Sequence, residues 1–153
     1  VQVQLNPLTC FDWGDTRRPF FYVYDHETKP GMKKICRIQN QSRALEMPLQ
    51  AVYCASFLCR LRGLMFRKTL PPQEGLLLVY KTDSRLDSSI HMMFVRFDLG
   101  VIWINSAGVV VDTLLAKQWK AAYFPQKPAR YVLEIVPERL GEFQVGDQIF
   151  FDV

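Results

Sequence analysis

Apolar and polar positions alternate in residues 1–5, where Val1, Val3 and Leu5 share one face. Period two is the spacing of a half-buried strand. A turn-rich stretch with Asn6, Pro7, Gly14 and Asp15 follows, and residues 19–25 then gather Phe20, Phe21, Tyr22, Val23 and Tyr24. This is a second strand, because aromatic and β-branched side chains suit a pleated surface. Lys29-Pro30-Gly31 breaks the pattern. Beyond it, short apolar runs predict strands over residues 34–39, 47–54, 75–81, 90–97, 99–105, 109–114, 130–136 and 148–153. Ser106-Ala107-Gly108 joins two of them as a β-hairpin, with Gly108 free to take a positive φ. Pro125 and Pro128 make residues 123–129 a loop, and residues 141–147 are turn-rich.

One segment has the other period. Phe57, Leu58, Leu61, Leu64 and Met65 fall on one face of a helix over residues 55–66. Arg60, Arg62 and Arg67 point elsewhere, Ser56 is placed to cap the N-terminus, and Pro71-Pro72 ends the run. Gly63 either ends the helix or permits close packing. Many short strands with one short helix define an all-β fold, mostly antiparallel, built as a β-sandwich or a barrel. Met32-Lys33-Lys34 resembles an embedded translation start. The expected division is therefore an N-terminal strand extension, residues 1–31, and a single β domain, residues 32–153.

Composition narrows the function classes. The 153 residues are 49% hydrophobic and 22% charged, which excludes a disordered or collagen-like chain. No apolar run is long enough for a transmembrane segment. A formal net charge of +4 is mild and argues against nucleic acid as a partner. The first residue is Val1, which implies a start or leader removed upstream, although no signal-peptide pattern remains. Cys10, Cys36, Cys54 and Cys59 form no CxxC pair, and His26 and His91 are isolated. Four clustered ligands are thus lacking, so neither a metal nor a cofactor is expected. The cysteines read first as free thiols, with a Cys10–Cys36 or Cys54–Cys59 disulfide as the alternative. That reading leans to the cytoplasm, with an exported form beside it.

Candidate chemistry is sparse. His91 follows Ser88 and Ser89, a weak catalytic signal against a hydrogen-bonding role. Cys54 or Cys59 as a nucleophile lacks a recognisable activating group. Arg60, Arg62, Arg67 and Lys68 could bind an anion through guanidinium forks, or form a solvated helix face. Arg62 could equally pair with Glu134 or Asp147.

From about residue 34 onward the order of motifs resembles a family of small bacterial and archaeal proteins, domain of unknown function 192. The resemblance rests on Arg60-Leu61-Arg62-Gly63-Leu64-Met65-Phe66-Arg67, Gly75-Leu76-Leu77-Leu78-Val79, and Ile90-His91-Met92-Met93-Phe94-Val95-Arg96-Phe97 running into the hairpin. Tyr131-Val132-Leu133-Glu134 and Gly146-Asp147-Gln148-Ile149 complete it. It implies an all-β fold with a helix at the Arg-Gly-Leu-Met motif and no particular reaction. Where the family carries an acid after its Pro-(Leu/Ile) pair, this chain has Gly100, and a later acid is Asn105.

Two functions follow as expectations. The first is a non-enzymatic binding or assembly module. Phe20, Phe21, Tyr22 and Tyr24 would add a strand to a sheet edge of this chain, of a second copy or of a protein partner. The second is a protein or enzyme that binds an anionic small molecule. Its pocket would lie between the Arg62 helix and the His91 strand, lined by Arg62, His91, Met92 and Phe94.

Overall fold

The structure, a computed structural model, describes residues 34–152. The strands expected at residues 1–5 and 19–25, with Phe20, Phe21, Tyr22 and Tyr24, lie outside the described residues. The elements are β1 (Ile35–Asn40), β2 (Leu49–Cys54), α1 (Phe57–Arg62), β3 (Glu74–Ser84), β4 (Leu99–Ile104), β5 (Val110–Ala116) and β6 (Ala129–Ile135). A 3-10 helix (Pro137–Glu142) and β7 (Ile149–Asp152) complete them.

Seven strands form one sheet in the order β5-β4-β6-β3-β2-β1-β7. β2 and β3 are parallel, and the other neighbours are antiparallel. A parallel pair needs a crossover. Here the crossover carries α1 and the loop after it. The sheet curls until its edge strands meet. Val109 bridges Gln148, the Val110 N–H donates to the Asp147 carbonyl at 2.9 Å, and the Ile149 N–H donates to the Gly108 carbonyl at 2.7 Å. The fold is all-β, as the pattern predicts, and of its two forms the structure takes the barrel-like one.

The alternation of side chains along each strand creates two cores. Inside the curl, every strand contributes: Cys36 and Ile38, Leu49 and Ala51, Leu77 and Val79, Ile102 and Ile104, Val110, Leu133 and Ile135, Ile149. On the outside, Leu76, Leu78, Val101, Trp103 and Val132 meet Leu64, Leu70, Ile90, Met92 and Val95 from the connecting segments. β4 and the stretches 75–79 of β3 and 132–135 of β6 are therefore covered on both faces, which is why they are mostly apolar. At about 1.5–3 kcal/mol for each large apolar side chain removed from water, these strands hold the fold. A charge within those covered stretches is correspondingly out of place.

Two elements depart from the pattern. Residues 90–97 form no strand. Ile90 bridges Tyr123, and the chain then turns, with the Val95 N–H donating to the Met92 carbonyl and Phe94 at φ 61°. Ile90, Met92 and Val95 are buried, but from a loop, and a short apolar run does not distinguish the two. The helix is also shorter than its apolar face requires. α1 has no buried residue, and Phe57, Leu58 and Leu61 are exposed. Gly63, at φ 43°, turns the chain away before Leu64, which enters the outer core outside the helix. Ser56 accepts a hydrogen bond from the Cys59 N–H as the N-cap. A disulfide joins Cys54 to Cys59, so the free-thiol expectation fails for these two residues. Cys36 is free and buried inside the curl, where burial pushes its thiol up to about 11.

The 3-10 helix, over a stretch where no element is expected, seats a buried ion pair. Arg139 donates Nε and Nη2 to the two oxygens of Glu142 at 2.7 and 2.8 Å, and its remaining donors reach the carbonyls of Pro72 and Met47. Every charge there has a partner, so the pair can be buried.

Candidate functional site

Glu134 lies on β6, between the inward-facing Leu133 and Ile135. The strand alternation turns its side chain to the outer face, where it is 5% exposed. Among the described residues no hydrogen-bond donor or cation pairs with its carboxyl, and burial alone pushes it up to about 7. Burial thus favours the protonated form of the group.

The carboxyl stands in the wall of a cavity of about 30 Å³, lined also by Arg60, Arg62, Tyr80, Ser89 and His91. This volume holds about one water-sized group. Its roof is the end of α1 and the Gly63–Met65 turn; its floor is the outer face of β3 and β6. Arg60 is fixed there, with Nη1 donating to the carbonyls of Ala55 and Val79 and its guanidinium 4.8 Å from the Tyr80 ring. Burial, reinforced by the nearby Glu134 charge, pushes the Tyr80 phenol up to about 12. The His91 Nε2 lies 3.2 Å from the Leu61 carbonyl, whereas Nδ1 is buried without a partner among the described residues. Donation from Nε2 leaves Nδ1 as a free acceptor in the neutral ring. Arg62 is exposed and makes no ion pair among the described residues.

The structure thus brings Arg62 and His91 to one cavity. Met92 is fully buried in the outer core, and Phe94 stands outside; neither lines the cavity. Glu134 is not the ion-pair partner of Arg62, and Asp147 is taken by Arg43, which donates Nε and Nη2 to its two oxygens at 2.7 and 2.9 Å. Glu134 and Tyr80 are missing from the residues that the sequence nominates for this pocket. The available signal was a lone acid in the apolar run Val132-Leu133-Glu134-Ile135-Val136. Gly100, where the resemblance places an acid, is packed against β6 and the 3-10 helix. A Cβ there would meet Leu140 Cβ at 3.2 Å and the Val136 carbonyl at 3.3 Å. Asn105 closes the hairpin by accepting the N–H groups of Ala107 and Val109.

Beside the cavity, three exposed aromatic residues meet. Phe66 and Phe94 stack with centroids 5.3 Å apart, and Trp119 meets Phe94 edge-on at 5.9 Å. Their φ angles are 62°, 61° and 64°. For bulky residues this left-handed conformation costs about 1–3 kcal/mol each. It is held by backbone hydrogen bonds: Phe66 N–H to the Phe94 carbonyl, Trp119 N–H to the Met92 carbonyl, and Met92 N–H to the Lys120 carbonyl. Among the described residues, no helix is long and apolar enough to cross a membrane.

A curled seven-stranded sheet with a small polar cavity under its crossover is the class of domain that this geometry defines. The sequence profile of domain of unknown function 192, described as "Uncharacterized ACR", matches residues 31–151, and the chain belongs to that family. It is 35% identical to the UPF0127 protein PF1050 of Pyrococcus furiosus over 113 residues, covering 72% of this chain and 93% of that one. It is 42% identical to the UPF0127 protein TK1120 of Thermococcus kodakarensis over 96 residues, 61% of this chain and 59% of that one. A solved structure of a protein of unknown function from Novosphingobium aromaticivorans superposes with a TM-score of 0.66 at 19% identity, covering 81% and 91% of the two chains. At that identity the likeness concerns the fold alone.

Proposed function

We propose that this domain binds the anionic end of a small molecule in the cavity beneath α1. The observation that carries this reading is the cavity wall: His91 Nδ1 is buried there without a partner among the described residues, beside Arg60, Arg62 and the buried Glu134. A native chain rarely leaves such a group unsatisfied without a use for it. When protonated, Glu134 can donate its O–H to a ligand oxygen while Arg62 supplies the opposite charge. The volume admits little more than one terminal oxygen of an anionic group such as a carboxylate, so the remainder of the ligand lies at the mouth.

The test is titration of the full chain with acetate and with inorganic phosphate, followed by NMR shifts of the His91 ring at pH 6 and pH 8. Saturable shifts are expected for at least one anion. They should be stronger at pH 6, the side on which burial favours protonated Glu134, and weakened about tenfold or more in Arg62→Ala, the loss of a charge-assisted hydrogen bond. Absence of saturable shifts at both pH values, or shifts indifferent to Arg62→Ala, would overturn the reading.

A further inference from the structure

A second surface carries an inference independent of the cavity. The chain exposes Phe66, Phe94 and Trp119 at 60, 42 and 59%, and the neighbouring Met93 at 48%. Three loops are drawn together to do this, in a backbone conformation that bulky residues avoid. Apolar side chains of this size are ordinarily the first to be buried.

The charges on the same loops indicate what the surface meets. Residues 63–73, 91–98 and 117–124 carry Arg67, Lys68, Arg96, Lys117 and Lys120 against a single acid, Asp98. That acid is already paired with Lys117 at 2.8 Å and accepts the Gln118 N–H. Arg67 reaches Glu74 only at 3.7 Å. Lys68, Arg96 and Lys120 make no ion pair among the described residues. The Lys120 Nζ lies 4.4 Å from the centroid of the Tyr123 ring, a cation–π contact at the edge of this surface.

Exposed aromatic rings on loops that also carry Lys and Arg without ion pairs among the described residues match the chemistry of a bilayer interface. Rings settle at the headgroup level and cations meet anionic lipid. Nucleobase stacking suits the geometry less well, because Phe94 is already engaged by Phe66 and by Trp119. We propose that this face docks on an anionic lipid surface. Phe66, Phe94 and Trp119 enter the interface, and Lys68, Arg96 and Lys120 sit on the headgroups.

The experiment is co-sedimentation of the full chain with vesicles of phosphatidylcholine alone and of phosphatidylcholine with phosphatidylglycerol, at low and high salt. Binding to the anionic vesicles that weakens with salt is expected. Each charge removed among Lys68→Ala, Arg96→Ala and Lys120→Ala should weaken it roughly fivefold. Trp119→Ala and Phe66→Ala should also weaken it, and both side chains are exposed, so a matching thermal melt certifies the fold. No sedimentation at low salt would overturn the proposal. So would binding that survives Trp119→Ala and Phe66→Ala unchanged, which places the contact elsewhere. Retention on a single-stranded oligonucleotide without vesicle binding would overturn it in favour of nucleic acid.

Discussion

Glu134 and Asp147 are both acids at buried positions, and their surroundings send them in opposite directions. Asp147 is desolvated, but Arg43, Asn40 and the Gln144 N–H more than offset this and hold its carboxyl below the usual range. Its stabilising effect is present above the unfolded value and is lost as pH falls through the folded one. Asp147→Ala should cost about 2–3 kcal/mol at neutral pH in a urea titration, since it strands partners that now share a charge. Glu134 has burial without compensation, so its folded value of about 7 lies above the 4.5 of a solvated glutamate. The folded chain then holds a proton that the unfolded chain has released, and stability falls as pH rises across that window. The loss amounts to about 3 kcal/mol in order of magnitude once both forms are ionised. Glu134→Gln should remove that slope and raise stability above pH 7. A slope unchanged in the variant would mean that the carboxyl is solvated or paired. The sequence exposed Arg62 and His91 because rare or charged residues stand out by type. It hid the role of Glu134, because a carboxylate's importance lies in what does not surround it.

At the level of elements, the strands were legible wherever alternation or an apolar run coincided with a sheet position, as in β3, β4 and β6. Residues 90–97 have the same composition and are a loop, because tertiary packing of Ile90, Met92 and Val95 overrides the local preference. The helix shows the opposite error. Its period was readable, but the side to which it turned was not, since α1 spans six residues, buries none of them fully and sets only Cys59 against the outer core. What fixes α1 is a set of specific ties: the Ser56 cap, the Arg60 hydrogen bonds to Ala55 and Val79, and the Cys54–Cys59 disulfide. No periodicity encodes such ties. The bridge closes a short loop, for which the chain-entropy relation gives about 2 kcal/mol. Cys59→Ser should lower stability by about that amount in a chemical denaturation under oxidising conditions and by much less under reducing ones. A variant as stable as the parent in both would show that the bridge is unformed or without effect.

At the level of the whole molecule, the pattern specified strands but not their closure. Alternation decides which side chains share a face, whereas the seam between β5 and β7 depends on a backbone approach that only a residue without a Cβ permits. Gly108 makes that approach at φ 79°, with the Ile149 carbonyl and Gln148 Nε2 each 2.7 Å from where a Cβ would stand. Gly146 supplies an internal control: its φ is 97°, but a Cβ would meet nothing within 4 Å. Both substitutions by alanine carry the cost of a left-handed backbone, about 1 kcal/mol or more. Gly108→Ala must also push the β7 backbone outward, breaking the hydrogen bond from the Ile149 N–H to the Gly108 carbonyl. It should therefore lose a further 1–3 kcal/mol or so beyond Gly146→Ala. Hydrogen exchange should follow the same order, with the Ile149 and Val110 amides losing protection in Gly108→Ala and keeping it in Gly146→Ala. Equal stability and equal protection in the two variants would show that the sheet is open at this edge. An open edge would restore a free ladder of N–H and C=O groups on β5 and β7, the feature on which strand addition from a second chain depends.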